Sequence, residues 1–143
     1  MTEAGKPGPV RHGARSTRSQ GVRCAYGLRY GRLSDPTNPR SAVVSAKGQI
    51  EVEDITGVPV FPQLPSRLER VMGPGIRENP QADDAFFVNV WAPEGARDLP
   101  VLVFLHGGAW VSGGGSARWY RGERLAREGM VVVTLNYRLG PAG

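Results

Sequence analysis

Residues 99–110 read LPVLVFLHGGAW, and this stretch decides the fold. A nearly continuous apolar run of this length is typical of a β-strand that is buried on both faces. Two glycines, Gly107 and Gly108, lie just beyond the end of that run. Because open α/β sheets bind ligands beyond the carboxyl ends of their strands, the sequence indicates a ligand-binding turn here.

The flanking segments complete a β-α-β unit. Residues 85–91 (AFFVNVW) are rich in β-forming side chains, residues 117–128 can be helical up to Gly129, and residues 130–137 (MVVVTLNY) form another buried run. This order predicts that the strands on either side of the helix are parallel and joined by a right-handed crossover. We also expect the strands at 85–91 and 99–105 to be neighbours. Residues 131–135 have the pattern of an interior strand, which needs a partner on each edge. The sequence has no further apolar run after residue 137, so we expect one edge of this strand to be uncovered.

The two halves of the chain differ in composition. Residues 1–20 have no hydrophobic periodicity and several basic side chains, so we expect a disordered basic leader. Residues 21–143 are expected to form one partial domain, loop-rich over 21–84 and built of sheet and helix over 85–143. Within the loop-rich part we predict at most a short edge strand between residues 50 and 60, and one or two helical turns over 66–72.

Charge and cysteine content limit the classes of function. The net charge is +5 and the pI about 10.0, but the arginines near residues 118–127 alternate with glutamates. A solvated face is therefore preferred over nucleic-acid binding, which stays a weak alternative. Cys24 is the only cysteine, so no internal disulfide can form, and we predict no metal and no cofactor. The longest apolar run is too short for a membrane span and no secretory signal is evident, so we expect a cytoplasmic protein.

The glycine turn has the properties that acyl transfer needs. Without Cβ atoms, Gly107 and Gly108 let the backbone bend sharply and approach a substrate, leaving N–H groups to face an oxyanion. A well-placed donor of this kind lowers the barrier by roughly 3 to 4 kcal/mol. The same turn could serve only to join a strand to a loop, and the turn by itself does not decide between these two interpretations.

The surrounding residues resemble the type B carboxylesterase/lipase family of α/β-hydrolases, which also includes cholinesterases and the non-catalytic neuroligins. The similar segments are residues 88–93 (VNVWAP), 99–110, 112–114 (SGG) and 131–140 (VVVTLNYRLG), with Pro62-Gln63 and residues 26–33 similar to early loops. The fold implied is the N-terminal portion of an α/β-hydrolase, with a mixed, mostly parallel and incomplete sheet. The chain departs from the family at residues 83–86, where Asp-Asp-Ala-Phe replaces Glu-Asp-Cys-Leu, so a family disulfide is absent there.

The resemblance also implies an activity and a role for each residue of the turn. It implies hydrolysis of a small-molecule carboxylic ester by a serine nucleophile with histidine and acidic partners. The oxyanion-hole donors would be the N–H groups of Gly108 and Ala109, with Gly107 shaping the turn. Trp110 would line the acyl pocket, although simple packing is an equal alternative. His106 is expected to be structural, because it ends the strand beside the hole and does not face a nucleophile.

A nucleophile is missing from the sequence. No serine lies in a Gly-x-Ser-x-Gly elbow, and the nearest match, residues 114–118 (GGSAR), has Arg118 in place of the second glycine. The other histidine, His12, lies in the basic leader, so a Ser-His-acid triad within this chain is not expected. The sequence therefore predicts an N-terminal fragment of a serine esterase that is inactive alone. The alternative is a non-catalytic binding or interaction protein derived from the hydrolase scaffold.

Overall fold

In the computed structural model the described residues are 10–11, 17–67, 69–72 and 74–143, and they are organised around one mixed β-sheet. Most of the predicted basic leader lies outside these residues. The described parts of it, Val10–Arg11 and Thr17–Ser19, are short strands of the sheet, which its composition did not indicate.

The sheet has seven strands in the described residues, in the order β1-β4-β3-β5-β7-β6, with β2 paired to β3 beside this path. Their bounds are β1 Val10–Arg11, β2 Thr17–Ser19, β3 Val22–Leu33, β4 Val43–Ile50, β5 Phe87–Pro93, β6 Val101–Leu105 and β7 Val131–Leu135. The α-helices are α1, Glu69–Met72, and α2, Glu123–Arg127; 3-10 turns occupy Ile55–Gly57, Arg118–Tyr120 and Gly140–Ala142.

The prediction that residues 21–84 are loop-rich is wrong over β3 and β4, which form a long antiparallel pair. The hydrophobic alternation of β3 is broken by an irregularity between Ala25 and Leu28, where its register against β5 shifts. Gly27 lies there at φ 63°, and its N–H donates to the Asn89 side chain. A bulge changes which face each following residue occupies, so the period that signals a strand is lost from the sequence. The edge strand expected between residues 50 and 60 is absent, because β4 ends at Ile50 and a 3-10 turn follows.

The predicted parallel pair is confirmed, but the predicted neighbours are wrong. β6 runs parallel to β7, while β7 pairs antiparallel with β5 on its other edge, so β7 separates β5 from β6. Among the described strands, the edge without a partner therefore belongs to β6. All residues of β6 are exposed, so the prediction that this run is buried on both faces is wrong. The mixed sheet is as expected, although its described pairings are mostly antiparallel because the β-α-β unit contributes only the last two strands.

The core lies on the face of the sheet that is covered by α2 and by the segment around the first 3-10 turn. Trp91 of β5 is 0% exposed and packs edge-on against Tyr26 of β3. The helix predicted over 117–128 is interrupted at Arg121, whose backbone is extended, and it resumes as α2 after Gly122. Gly122 packs closely on the Trp91 indole, where a Cβ would come within 2.7 Å of the ring. Among the described residues, no helix has the length and apolar character to cross a membrane.

Candidate active site

The turn begins at His106, directly after β6. The His106 side chain is 3% exposed and its ring stacks on Tyr137, with 4.1 Å between centroids and 4° between planes. Its Nδ1 lies 2.9 Å from the carbonyl oxygen of Gly107, and the Tyr137 hydroxyl donates to the carbonyl of His106. Burial lowers the pKa of His106, so the imidazole is neutral at neutral pH. These contacts are those of a side chain that fixes the start of the turn, in agreement with the structural role expected for it.

A pH dependence of stability follows from this burial. The unfolded imidazole has a pKa of about 6.5, and the folded pKa is lower. Between the two values the unfolded chain binds more protons, so the free energy of unfolding falls as the pH drops below about 6.5. We expect His106→Phe, which retains a ring against Tyr137, to lose less stability than the parent between about pH 7.5 and pH 5.5 in urea unfolding. An equal loss in both proteins would contradict a neutral, buried His106.

The glycine at the centre of the turn has no space for a side chain. Gly108 has φ 137°, and a Cβ there would lie 1.7 Å from the carbonyl oxygen of Ser112. The Gly108 carbonyl accepts hydrogen bonds from the N–H groups of Val111 and Ser112, both at 3.1 Å, which closes the turn. Only glycine fits this position without moving the backbone.

The two predicted donors, the N–H groups of Gly108 and Ala109, follow each other in the turn. Ala109 and Trp110 have φ 52° and 63°, a left-handed conformation that residues with a Cβ rarely adopt and that is often found at functional sites. Within the described residues, the N–H groups of Gly108 and Ala109 donate to no protein acceptor. The turn can therefore offer both donors to an external oxygen.

Both proposed donors line a cavity. Its volume is about 560 Å³, within the range of small-molecule sites, and its walls come from two segments of the chain. The lining residues are Leu64, Pro65, Ser66, Arg67, Gly108, Ala109, Val111 and Ser112. A mostly apolar wall thus faces a pair of backbone donors. Trp110 is not part of this lining: its side chain is 74% exposed and lies 5.6 Å from the Tyr137 ring, so its role in an acyl pocket stays a prediction.

The exit of the turn is held by buried polar side chains. The N–H of Gly115 donates to Oδ1 of Asn136 at 2.8 Å, and the carbonyl of Gly115 accepts from the Thr134 hydroxyl at 2.6 Å. Nδ2 of Asn89 lies 3.3 Å from the same carbonyl. Sequence reasoning missed these residues, although a polar residue inside an apolar strand segment was a visible signal for each of them.

Ser116, the serine of the incomplete elbow motif, is fully buried and bonded to Nδ2 of Asn89 at 3.2 Å, away from the cavity. In the part of the chain that the structure describes, no group of three or more His, Cys, Asp or Glu side chains is arranged to hold a metal ion.

The mixed sheet, its β-α-β unit and the glycine turn after β6 define an α/β-hydrolase. More narrowly, the chain belongs to the carboxylesterase family, whose model matches residues 36–143. The expected fold class is confirmed by solved structures: a PNB esterase superposes with a TM-score of 0.69 and 33% identity, over 90% of this chain and 26% of that one. A thermophilic PNB esterase also gives a TM-score of 0.69, with 35% identity over 90% of this chain and 26% of its own.

Curated relatives agree with this assignment. A probable N-octanoylanthranilate hydrolase of Rhodococcus erythropolis is 41% identical over 121 residues, which are 82% of this chain and 26% of that protein. The para-nitrobenzyl esterase of Bacillus subtilis is 52% identical over 65 residues, 44% of this chain and 13% of the relative. The chain thus spans about a quarter or less of the length of these relatives.

Proposed function

We propose that this chain supplies the oxyanion-hole segment of a carboxylic ester hydrolase whose serine nucleophile lies outside the 143 residues. The observation that carries the proposal is that the adjacent residues Gly108 and Ala109 line a cavity and that their N–H groups have no acceptor in the described residues. Such a pair, in a turn where Gly108 has no room for a Cβ, is the arrangement that stabilises the oxyanion of acyl transfer.

The reaction would proceed by nucleophilic attack of the serine hydroxyl on the ester carbonyl. As the C–O double bond opens, negative charge develops on the carbonyl oxygen, and the N–H groups of Gly108 and Ala109 donate to it. Each donor contributes roughly 3 to 4 kcal/mol to this transition state. The serine, its histidine base and the acidic partner would come from outside these residues, together with a third donor that follows the serine.

The cavity supports a small-molecule substrate. Leu64, Pro65 and Val111 give it apolar walls next to the donors, which suits the hydrocarbon part of an ester. We further propose that Trp110 lines the acyl side of the pocket when the remaining part of the site is present. The names of the two relatives, an esterase and a hydrolase of an octanoyl derivative, support small acyl substrates for this chain as well.

A nucleic-acid substrate is not part of the proposal. Several of the arginines of this basic chain are paired with carboxylates. Arg29 lies 2.8 Å from Asp84, and Arg77 lies 2.7 Å from Glu69. Arginines that are paired with carboxylates produce a weaker positive potential, and so attract nucleic acid less, than an unpaired basic patch would.

A non-catalytic interaction protein built on the same scaffold is the second possibility, and the turn argues against it. Gly108 is in a backbone conformation restricted to glycine, and Ala109 and Trp110 in ones that side chains disfavour. Such strain has a use in acyl transfer that simple binding does not require.

Turnover of p-nitrophenyl butyrate tests the proposal directly. We expect the complete protein that contains this chain to hydrolyse the ester, with the activity abolished by a serine-directed phosphonate. The 143-residue chain alone should show no inhibitor-sensitive turnover. Inactivity of the complete protein, or inhibitor-sensitive turnover by the 143 residues alone, would contradict the assignment. Absence of a Gly-x-Ser-x-Gly motif from the coding sequence after Gly143 would do the same.

A further inference from the structure

We infer that Gln63 is a positioning residue for the oxyanion hole, an inference that rests on the proposed function. Its side-chain amide binds both backbone groups of Gly113, which ends the glycine turn. The N–H of Gly113 donates to Oε1 of Gln63 at 2.6 Å, and Nε2 of Gln63 donates to the carbonyl of Gly113 at 2.8 Å. Nε2 donates in addition to the carbonyl of Phe61 at 3.0 Å. These partners fix the orientation of the amide, since exchanging its oxygen and nitrogen would set donor against donor.

The position of Gly113 determines that of the rest of the turn. Gly113 has φ 108°, and a Cβ there would lie 2.4 Å from the carbonyl oxygen of Gly107 and 2.5 Å from Nδ1 of His106. The two ends of the turn are therefore in contact. A displacement of Gly113 removes the packing that holds Gly107, and the N–H groups of Gly108 and Ala109 follow directly in the chain.

Gln63 is itself firmly placed. Its N–H donates to Oε1 of Gln81 at 3.1 Å, and its carbonyl accepts from Nε2 of Gln81 at 3.4 Å. The Gln81 side chain thus binds the backbone of Gln63, and the Gln63 side chain in turn binds the backbone of Gly113. The backbone of Val60 also bonds to residues 80 and 82, which aligns this segment with its neighbour.

The same pairing joins the two walls of the cavity. Gln63 immediately precedes the wall at residues 64–67, and Gly113 immediately follows the wall formed by Gly108, Ala109, Val111 and Ser112. Gln63 is only half-buried, whereas Asn136, which holds Gly115, is buried in the core. Removing the Gln63 amide should therefore displace the donors with less damage to folding than removing Asn136.

Kinetics of the complete protein with p-nitrophenyl butyrate test this role. Gln63→Leu removes both hydrogen bonds to Gly113 and should lower kcat about 10- to 100-fold, because small misplacements of catalytic groups have effects of this size. KM should change little, since the donors act chiefly in the transition state. A parent-like kcat in Gln63→Leu, with the parent active, would overturn the positioning role and leave the proposed function intact.

A second variant gives a signature that general destabilisation does not produce. In Gln63→Glu the carboxylate can still accept from the N–H of Gly113, but it faces the Gly113 carbonyl without a proton to donate. Protonation at low pH restores a donor, so the ratio of the variant's kcat to the parent's should rise as the pH falls from about 7 to about 5.

The control is Gln20→Glu, which makes the same charge change at a side chain that binds Arg127, far along the sheet from the turn. Its kcat should match the parent's throughout this pH range. If the ratio of the Gln63→Glu kcat to the parent's kcat stays constant over this pH range, the inference is overturned. This test remains decisive even if Gln63→Leu does not fold. An inactive parent would overturn the proposed function and this role together.

Discussion

Gly108→Ala is expected to lower kcat for ester hydrolysis by about 10²- to 10³-fold in the complete protein, the effect of losing one oxyanion-hole donor. The physical reason is steric: the added Cβ would lie 1.7 Å from the carbonyl oxygen of Ser112, at a φ of 137°. The turn must open to accommodate it, which moves the N–H groups of Gly108 and Ala109 away from the developing oxyanion. KM should change less than kcat, because the lost interaction strengthens only in the transition state. Steady-state kinetics with p-nitrophenyl butyrate provide both values.

The matched control for this substitution is Gly95→Ala. Gly95 also has a positive φ, 73°, but no atom lies within 4 Å of an added Cβ. Gly95→Ala therefore has the conformational cost of an alanine at positive φ, about 1 kcal/mol of stability, but leaves the glycine turn undisturbed. Its kcat should equal that of the parent. A small effect of Gly108→Ala, comparable to that of Gly95→Ala, would show that these N–H groups do not stabilise the reaction.

The fold could be predicted from the sequence where apolar runs are long. Residues 85–91, 99–105 and 130–137 were predicted as strands and correspond to β5, β6 and β7. A run of apolar, β-forming side chains is a strong strand signal even though none of these strands is buried on both faces: β5 and β7 alternate between buried and half-buried residues, and β6 is exposed. β3 was missed because the irregularity at Gly27 breaks its period. Strand order was wrong because side-chain pattern indicates burial and does not encode which strand lies alongside.

The candidate site likewise has one part that the sequence predicts and one part that it does not. Gly107, Gly108 and Ala109 are adjacent in the sequence, and a motif that is local in the chain can be identified from the chain alone. The opposite wall of the cavity, residues 64–67, and the amide of Gln63 reach the turn only through the tertiary fold. No local pattern predicts that contact, because the two segments are separated by more than forty residues, β5 and β6 among them.

Asn89 shows how one polar residue in a strand connects the sheet to the turn. Its side chain is 0% exposed in the middle of β5, where burial without hydrogen bonds would be costly. Oδ1 accepts from the N–H of Gly27 in the irregular part of β3, at 3.0 Å. Nδ2 lies within 3.3 Å of the Gly115 carbonyl, and of the Ser116 and Thr134 hydroxyls. One amide thus joins β3, β5 and β7 to the exit of the glycine turn.

Asn89→Leu is therefore expected to destabilise the protein by about 3 to 5 kcal/mol. Leucine has the same number and branching of side-chain heavy atoms as asparagine but leaves the buried N–H of Gly27 and the Ser116 hydroxyl without this partner, and each orphaned group costs about 1 to 3 kcal/mol. Urea unfolding gives the difference in free energy. The control, Asn38→Leu, changes an exposed asparagine that bonds only locally, to the N–H of Arg40 at 3.0 Å, and should cost less than about 1 kcal/mol. Equal losses in the two variants would mean that the buried amide contributes no more than a surface turn does, and that β3 is held in register against β5 by backbone pairing and apolar packing alone.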